Sequence, residues 1–270
     1  MGKKSTLANI FYNSFGTIFY YGCQWLTTLL VVRISGFEDG GNYSLAMTFT
    51  AAFAIMALFN TRQYQVSDVT GEYSDRTYIR SRFTAMAISF AVCFAGLFFN
   101  AYTPYQWGVI LLYMIFKCGE AWIDVYHGID QKNGRMDYIC YSYIFRGFFM
   151  IAGFCGVLYL TKNLVLAIGS ITLLTFLTAF FYDRRTAERF IAKDGAANRA
   201  DVKKLMFAML PLVLVAVTNN LSISFPKYFL ERFYDETVLG YYSSVATPSM
   251  IVQVGASTIF IPLITPLADR

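Results

Sequence analysis

The chain has 270 residues and a mean hydropathy of +0.46, and 56% of its residues are hydrophobic while only 14% are charged. Soluble domains usually carry about 25% charged residues, so the composition excludes a water-soluble fold and indicates a polytopic membrane protein. The net charge of +5 does not indicate a nucleic-acid partner, because the basic residues lie in short loops between apolar runs.

The apolar runs are long enough to cross a bilayer, for which an α-helix needs about 20 residues. They predict eight transmembrane helices over residues 7–34, 43–64, 83–102, 107–126, 138–161, 164–182, 205–225 and 238–267. The predicted fold class is therefore an all-α, polytopic transmembrane helical bundle. The first run is too long for a signal peptide and has no cleavage site, so we expect it to remain as the first helix.

The basic residues predict how the bundle is oriented. With the N-terminus in the cytoplasm, 16 of the 22 Lys and Arg residues fall on the cytoplasmic side, four fall in the alternate loops and two lie within spans. Lys and Arg are enriched in cytoplasmic loops. The bias therefore supports both the helix count and a cytoplasmic N-terminus in a cytoplasmic-type membrane.

Short sequences recur near the two ends of the chain. Lys3-Lys4 recurs as Lys203-Lys204 at an offset of 200, and the Gly-x-Tyr-Ser sequence that begins at Gly41 recurs at Gly240 at an offset of 199. A true repeat of six helices would give two parallel lobes. Alternatively, the recurrence of these short sequences is a coincidence in a chain rich in Lys, Gly and Tyr.

The repeat predicts a domain organisation. Residues 1–184 would form a first six-helix lobe, residues 185–204 a cytoplasmic linker, and residues 205–270 the first two helices of an incomplete second lobe. We accordingly expect the chain to be a fragment of a longer protein.

Polar residues form a stripe along the fourth predicted span. They lie within about 80° of one another at 100° per residue, and they are Tyr113, Lys117, Glu120, Asp124, His127 and Gln131. A charge at the bilayer centre opposes insertion by roughly 2.5 to 3.5 kcal/mol, so this face must meet protein or a water-filled cavity. The stripe either lines a substrate or ion path, or Lys117 and Glu120 simply neutralise each other.

The first and fifth predicted spans also carry polar residues. In the first span the stripe comprises Asn9, Asn13, Gly16, Tyr20, Gln24 and Thr27. Its amides and hydroxyls are suited to sugar hydroxyls and equally to packing between helices. In the fifth span, Arg146 either pairs with Glu120 or Asp124 across helices or is free to bind an anion.

Signatures of enzymes and metal sites are missing from the sequence. The chain has one His, no GxSxG sequence, no phosphate-binding glycine loop and no pair of His residues at metal spacing. Its five cysteines lie in or beside apolar runs without a CxxC motif, which is typical of small buried side chains. We expect no catalysis on a covalent bond, no metal and no cofactor.

The residues around the second span resemble a known family. Arg33-x-x-Gly36-x-Glu38 precedes Gly41-Asn42-Tyr43-Ser44-Leu45-Ala46, which is followed by Arg62-Gln63-Tyr64-Gln65-Val66-Ser67-Asp68. These motifs and the helix pattern resemble the bacterial polysaccharide and O-antigen flippases of the multidrug/oligosaccharidyl-lipid/polysaccharide exporter superfamily.

The resemblance implies a two-lobed bundle, usually of twelve or fourteen helices with six in each lobe. It implies that the protein flips an undecaprenyl-pyrophosphate-linked oligosaccharide across the bacterial cytoplasmic membrane by alternating access, for surface polysaccharides such as lipopolysaccharide. The implied partners are this lipid-linked substrate, membrane lipids and other polysaccharide assembly proteins, without nucleic acid. The chain departs from the family by ending after eight predicted helices.

Candidate site residues follow from the polar stripes and from the resemblance together. The candidate substrate-binding residues are Lys117, Arg146 and Arg33 for the diphosphate, Asn13, Tyr20 and Gln24 for sugars, and Glu120 and Asp124, which also leave coupling to protons or sodium open. The family motif contributes Arg62, Gln63 and Asp68. We interpret that motif physically only as a charged helix end at the cytoplasmic face.

Three other functions remain open from the sequence. A drug or cation exporter of the same superfamily would need acidic rather than basic cavity residues, and Lys117 and Arg146 argue against it. A membrane-embedded glycan polymerase or acyltransferase would carry reactive residues in a large external loop, whereas every predicted external loop is short. The third is an inert fragment without transport function.

Overall fold

The fold is that of a computed structural model, which describes residues 5–191 and 198–233. Every regular element within these ranges is a helix. Four helical segments are long and apolar enough to cross a membrane, namely Thr6–Ser35, Glu38–Ser67, Met136–Thr161 and Leu164–Ala187. The protein is a helical transmembrane bundle, as its composition predicts.

Helices α1 (Thr6–Ser35) and α2 (Phe37–Leu58) follow each other almost without a loop. Ser5 caps the start of α1, because its side chain accepts a hydrogen bond from the backbone N–H of Ala8. Gly36 alone joins the two helices with a φ of 90°, a conformation that favours glycine. The two helices therefore form a tight hairpin at this end of the bundle.

A two-residue joint separates α2 from the short helix α3 (Thr61–Ser67). Phe59 and Asn60 both adopt left-handed backbone conformations, with φ of 46° and 48°. The Asn60 side-chain amide donates a hydrogen bond to the backbone oxygen of Leu212 at 2.7 Å, which ties the joint to the last described helix. The span predicted over residues 43–64 thus contains a change of direction that the sequence did not predict.

Helices α4 (Asp75–Leu97) and α5 (Pro104–Lys132) begin at well-formed caps. Ser74 caps α4, and Thr103 forms a reciprocal capping box with Gln106 at the start of α5. The 29 residues of α5 extend over about 44 Å at 1.5 Å per residue. Because the hydrocarbon core is only about 30 Å thick, α5 continues beyond it.

Two of the long apolar segments contain a stretch of π-helix. One comprises α6 (Met136–Phe149), the π-helical residues Met150–Cys155 and α7 (Gly156–Thr161). The other comprises α8 (Leu164–Thr178), the π-helical residues Ala179–Asp183 and α9 (Arg184–Ala187). Such π-helical stretches are rare and occur frequently at functional sites. The last described helix is α10 (Arg199–Phe233).

The predicted spans differ from the helices mainly at their ends. The span over residues 83–102 is too late, since α4 starts at Asp75 and ends at Leu97, and the span over 107–126 is too short for α5. Polar residues continue these helices past the apolar windows that predicted them. The span over 205–225 lies within α10, and the span over 238–267 lies outside the described residues.

Helix α5 occupies the centre of the bundle. It packs against α2, α3, α4, α6, α8 and α9, and the rings of Tyr113 on α5 and Tyr43 on α2 meet edge to face at 5.6 Å. The outer helices expose large apolar side chains such as Trp25 and Leu160, which suits a surface in contact with lipid. The charged residues of α5 therefore meet protein rather than hydrocarbon.

Candidate functional site

A polar cavity of about 190 Å³ lies between the helices that surround α5. Its walls come from α1, α2, α5 and α6, and they combine aromatic, charged and amide side chains. The lining residues are Tyr20, Tyr21, Gln24, Ala54, Leu58, Lys117, Glu120, Ala121, Asp124, His127, Tyr143 and Arg146. The polar stripes predicted on the first and fourth spans thus contribute to one common space.

Glu120 is the centre of the first group of charges in this cavity. Its Oε2 lies 2.7 Å from the Lys117 ammonium, and its Oε1 accepts hydrogen bonds from Arg146 and from the Tyr20 hydroxyl. Arg146 also donates to the Tyr20 oxygen at 2.9 Å and lies over the Tyr20 ring at 4.3 Å. Of the two alternatives for Arg146, the structure contains the ion pair with Glu120.

Asp124 is the centre of the second group, one turn further along α5. Its Oδ2 lies 2.7 Å from Arg82 and its Oδ1 lies 3.4 Å from Arg62. Arg62 is itself held by two hydrogen bonds to the Gln131 side-chain oxygen, at 2.8 and 3.0 Å. The family-motif arginine is therefore a partner of the polar stripe.

Arg82 falls just outside the span predicted over residues 83–102, and this boundary is wrong. It lies inside α4 with 0% exposure, and it donates to the backbone oxygens of Ala57 and Leu58. These carbonyls belong to the last turn of α2 and lack helical partners. Asp124 supplies the negative charge that makes the burial of Arg82 tolerable. Because a carboxylate within the bundle needs a basic partner, Asp124 is the signal in the sequence that could have identified Arg82.

The two groups together contain more basic than acidic side chains. Lys117 and Arg146 line the cavity, whereas Arg62 and Arg82 contact Asp124 from outside the cavity lining. Four basic side chains, Lys117, Arg146, Arg62 and Arg82, are balanced by the two carboxylates of Glu120 and Asp124. Each carboxylate is shared by two cations, so neither cation of a pair is fully neutralised. Such a site attracts anions, and the low dielectric of the surrounding helices strengthens the attraction.

Two of the residues predicted to bind substrate do not line this cavity. Asn13 is buried in α1, more than one turn away from Tyr20 in sequence. Arg33 is exposed in the last turn of α1, at the opposite end of the helix. Tyr20, Gln24, Lys117, Glu120, Asp124 and Arg146 do line it. The proposed contacts of Asn13 and Arg33 with substrate stay predictions.

The remainder of the family motif organises the loop between α3 and α4. Asp68 accepts hydrogen bonds from the backbone N–H groups of Glu72 and Tyr73, at 2.9 and 3.2 Å, and from the Tyr78 hydroxyl at 2.8 Å. Burial by itself would raise the pKa of Asp68, but these hydrogen bonds together hold it below its usual value. Gln63 is exposed. Within the motif, Arg62 is therefore an ion-pair partner of Asp124, and Asp68 holds the loop between α3 and α4 through its hydrogen bonds.

Close packing between α3 and α5 depends on a glycine. A Cβ added to Gly128 would lie 2.1 Å from the side-chain oxygen of Gln65, a distance that no real Cβ contact shows. Gln65 itself is fully buried. The absence of a side chain at Gly128 therefore leaves the space on α5 that the buried Gln65 side chain of α3 occupies.

Comparison with known proteins agrees with this architecture. The model of a family described as polysaccharide biosynthesis protein matches residues 6–267. The capsular polysaccharide biosynthesis protein CapF of Staphylococcus aureus is 23% identical over 250 residues, which cover 91% of this chain and 62% of CapF. The chain thus spans less than two thirds of the length of that relative. No solved structure is significantly similar to the chain.

Proposed function

Because the chain belongs to the polysaccharide biosynthesis protein family, we propose that it carries a lipid-linked oligosaccharide from the inner to the outer leaflet of the bacterial cytoplasmic membrane. The lipid we propose is undecaprenyl pyrophosphate. The observation that carries the proposal is a polar cavity inside a bundle of apolar helices, in which Lys117 and Arg146 share one carboxylate. The role is that of a transporter rather than an enzyme.

The basic residues of the cavity suit the diphosphate of such a substrate. Lys117 and Arg146 share the single carboxylate of Glu120, so a phosphate oxygen can take the place of Glu120 as their partner. Arginine binds phosphate with paired, charge-assisted hydrogen bonds, and lysine binds it as a point charge. Binding of the diphosphate would therefore replace Glu120 by phosphate as the ionic partner of Lys117 and Arg146, and it does not require an unpaired basic side chain beforehand.

The neutral side chains of the cavity suit the sugar. Tyr20, Tyr21 and Tyr143 provide hydroxyl groups and ring faces, and Gln24 provides an amide. The lipid tail remains in the bilayer while the polar head group occupies the cavity. Movement of the lobes by alternating access would then expose the head group to the other side.

The orientation we propose places the N-terminus in the cytoplasm, on the basis of the Lys and Arg bias of the loops. Outward movement of an anion across an inside-negative membrane is favoured by about 2.3 kcal/mol per charge per 100 mV. Export of a cationic drug is disfavoured, because Glu120 and Asp124 are each engaged by two basic side chains.

The test of this proposal is surface polysaccharide in the bacterium that encodes the chain. Deletion of the gene should remove surface polysaccharide and leave lipid-linked saccharide in the inner leaflet, and the wild-type gene should restore it. Lys117→Ala and Arg146→Ala should each reduce restoration by about tenfold or more, equivalent to 1.4 kcal/mol or more, at unchanged protein level in the membrane.

Matched controls on the same chain are Lys203→Ala and Arg185→Ala, because both side chains are exposed. Each should restore polysaccharide to the wild-type level. Normal surface polysaccharide in the deletion strain would contradict the proposed function, and full restoration by both cavity variants would remove Lys117 and Arg146 from it.

A further inference from the structure

A second buried polar cluster lies beside the cavity, between α5 and the π-helical stretch that precedes α9. His127, Asp130 and Asp183 are 1%, 0% and 1% exposed. The Nε2 of His127 lies 3.1 Å from Oδ1 of Asp183, and Thr186 contacts both acidic residues. Two carboxyl groups are thus enclosed together without bulk water.

The Thr186 hydroxyl is the one hydrogen-bond partner that the described part of the chain gives the Asp130 carboxyl. It donates to Oδ2 of Asp130 at 3.3 Å and to the backbone oxygen of Asp183 at 2.9 Å. A hydroxyl has a single hydrogen, so the longer contact with Asp130 is at best a shared one. One long, shared hydrogen bond compensates a buried carboxylate poorly, which favours the neutral acid at Asp130.

The remaining atoms of the pair agree with this assignment. Oδ1 of Asp130 and Oδ2 of Asp183 are buried without a hydrogen-bond partner in the described part of the chain. Two ionised carboxylates in such a place would repel each other and would lack donors. Asp183 faces Nε2 of His127, which donates to it when the imidazole carries its proton on that nitrogen, so we assign Asp183 as the ionised member of the pair and Asp130 as the neutral acid.

The basic side chains that face this pair of acids each bind another acidic residue. From α3, Arg62 binds Asp124 and Gln131; from the loop before α6, Arg135 binds Asp137 through two hydrogen bonds of 2.8 and 2.9 Å; and from α6, Arg146 binds Glu120. The other titratable groups that face it are the Asp137 carboxyl and the hydroxyls of Tyr138 and Tyr182. Arg135 is near enough to act on Asp130, but its guanidinium is bound by Asp137, and no basic side chain among the described residues forms an ion pair with Asp130.

We propose that Asp130 is a proton-binding site, and that release of its proton is linked to movement of α5 against the Ala179–Asp183 stretch. Release converts the acid to a carboxylate and passes the proton to water. The product is two adjacent carboxylates, so it requires the two helices to separate or water to enter. A π-helical stretch at Asp183 provides a place at which the backbone can rearrange.

The site communicates with the substrate cavity through His127. The imidazole of His127 lines the cavity and packs against the Tyr143 ring at 5.3 Å, while its Nε2 binds Asp183. A substrate that displaces His127 removes the donor of Asp183, which then competes for the proton of Asp130. Glu120 and Asp124 are less suited to this role, because their protonation would break four ion pairs.

The proton itself can be observed in the purified protein without any substrate. Infrared spectra in lipid should contain the carbonyl band of a protonated, buried carboxylic acid near neutral pH. Asp130→Asn should remove this band and should fold normally, since an amide is nearly isosteric with a neutral acid. The exposed carboxylate of Asp201 provides the control, and Asp201→Asn should leave the band unchanged.

A further variant tests the pairing. Asp183→Asn removes the negative neighbour, so Asp130 should lose its proton at a lower pH than in the wild-type protein. A spectrum of Asp130→Asn that retains the full acid band, or a titration that Asp183→Asn leaves unmoved, would overturn the site.

The link to transport rests on the proposed function and is tested separately. In proteoliposomes, a pH gradient should accelerate flipping of undecaprenyl-pyrophosphate-linked saccharide by the wild-type chain, and the acceleration should disappear in Asp130→Asn. Equal acceleration in both proteins would overturn the link. A wild-type chain that shows the acid band but flips no substrate would overturn the proposed function and leave the proton site standing.

Discussion

The guanidinium of Arg82 lies 2.7 Å from the carboxylate of Asp124, across 42 residues of sequence, and it simultaneously caps the last turn of α2. One side chain thus joins three helices, since α4 carries it, α5 neutralises it and α2 supplies its acceptors. Removal of either charge leaves the other buried without a full complement of partners.

We expect Arg82→Ala to destabilise the protein by up to about 3–5 kcal/mol, because Asp124 keeps only the more distant Arg62 as a cationic partner and the last carbonyls of α2 lose their donor. Thermal unfolding in detergent measures the effect, with the exposed Arg80 of the same helix as the control in Arg80→Ala. The double variant Arg82→Ala with Asp124→Asn should lose less stability than the sum of the single changes. Additive losses would show that the two residues are not coupled.

Contact between α1 and α6 should depend on Gly16. A Cβ at this position would lie 2.8 Å from the backbone Cα of Cys140, and backbone atoms cannot give way as a flexible side chain can. Gly16→Ala should therefore cost about 1–3 kcal/mol through overpacking. Gly22→Ala in the same helix is the matched control, since a Cβ there meets nothing within 4 Å, and its melting temperature should not fall. Equal melting temperatures for the two variants would refute the packing argument.

Asp68 should make the stability of the α3–α4 loop sensitive to acid. Its pKa is held below the usual value in the folded state, so its contribution is complete above the pKa of about 3.9 of an unfolded Asp and is lost as the pH falls through the folded value. The melting temperature of Asp68→Asn should lie several degrees below that of wild type near neutral pH, since hydrogen bonds to a charged group contribute about 1.5–3 kcal/mol.

The pH dependence of this difference is the decisive measurement. As the pH falls below about 4, the melting temperatures of Asp68→Asn and wild type should converge. The exposed Asp201 offers a control, because Asp201→Asn should track the wild-type protein at every pH. A difference for Asp68→Asn that stays constant down to strong acid would show that its hydrogen bonds do not depend on the charge.

Glu120 should limit anion binding in the cavity. Its carboxylate occupies both Lys117 and Arg146, so Glu120→Gln should leave these cations without a competing anion. Binding of inorganic pyrophosphate, measured by calorimetry, should then tighten by about tenfold or more, as expected when about 1.4 kcal/mol or more of competition is removed. Glu188→Gln, at an exposed position, should bind as the wild type does. Weaker binding by Glu120→Gln would indicate that Glu120 organises the site instead of competing for it.

Apolar windows were sufficient to predict the helices that face lipid. The runs over residues 138–161 and 164–182 agree closely with the observed segments, because these helices expose leucine and phenylalanine over most of their length. The polar stripe of α5 could also be predicted from the sequence, because the spacing of Lys117, Glu120 and Asp124 places them on one face of a helix. Both features depend on a single helix at a time.

Features that depend on contact between two helices could not be predicted from the sequence. The joint at Phe59 and Asn60 contains neither Gly nor Pro, and its contact with Leu212 comes from a helix more than 150 residues away. Asp130 and Asp183 were not selected as site residues, since their meeting is set by tertiary packing and by a π-helical stretch without a sequence signature. The predicted span over residues 83–102 left Arg82 out, because the partner that allows its burial lies on another helix.

The amide bridge from Asn60 to the backbone of Leu212 has a mechanical consequence. α10 is thereby fastened to the corner at which α2 turns into α3, and Arg62 lies two residues beyond that corner with its guanidinium on Asp124. We therefore expect a tilt of α10 to shift this corner and the Arg62 guanidinium with it, which would change the charge next to Asp124.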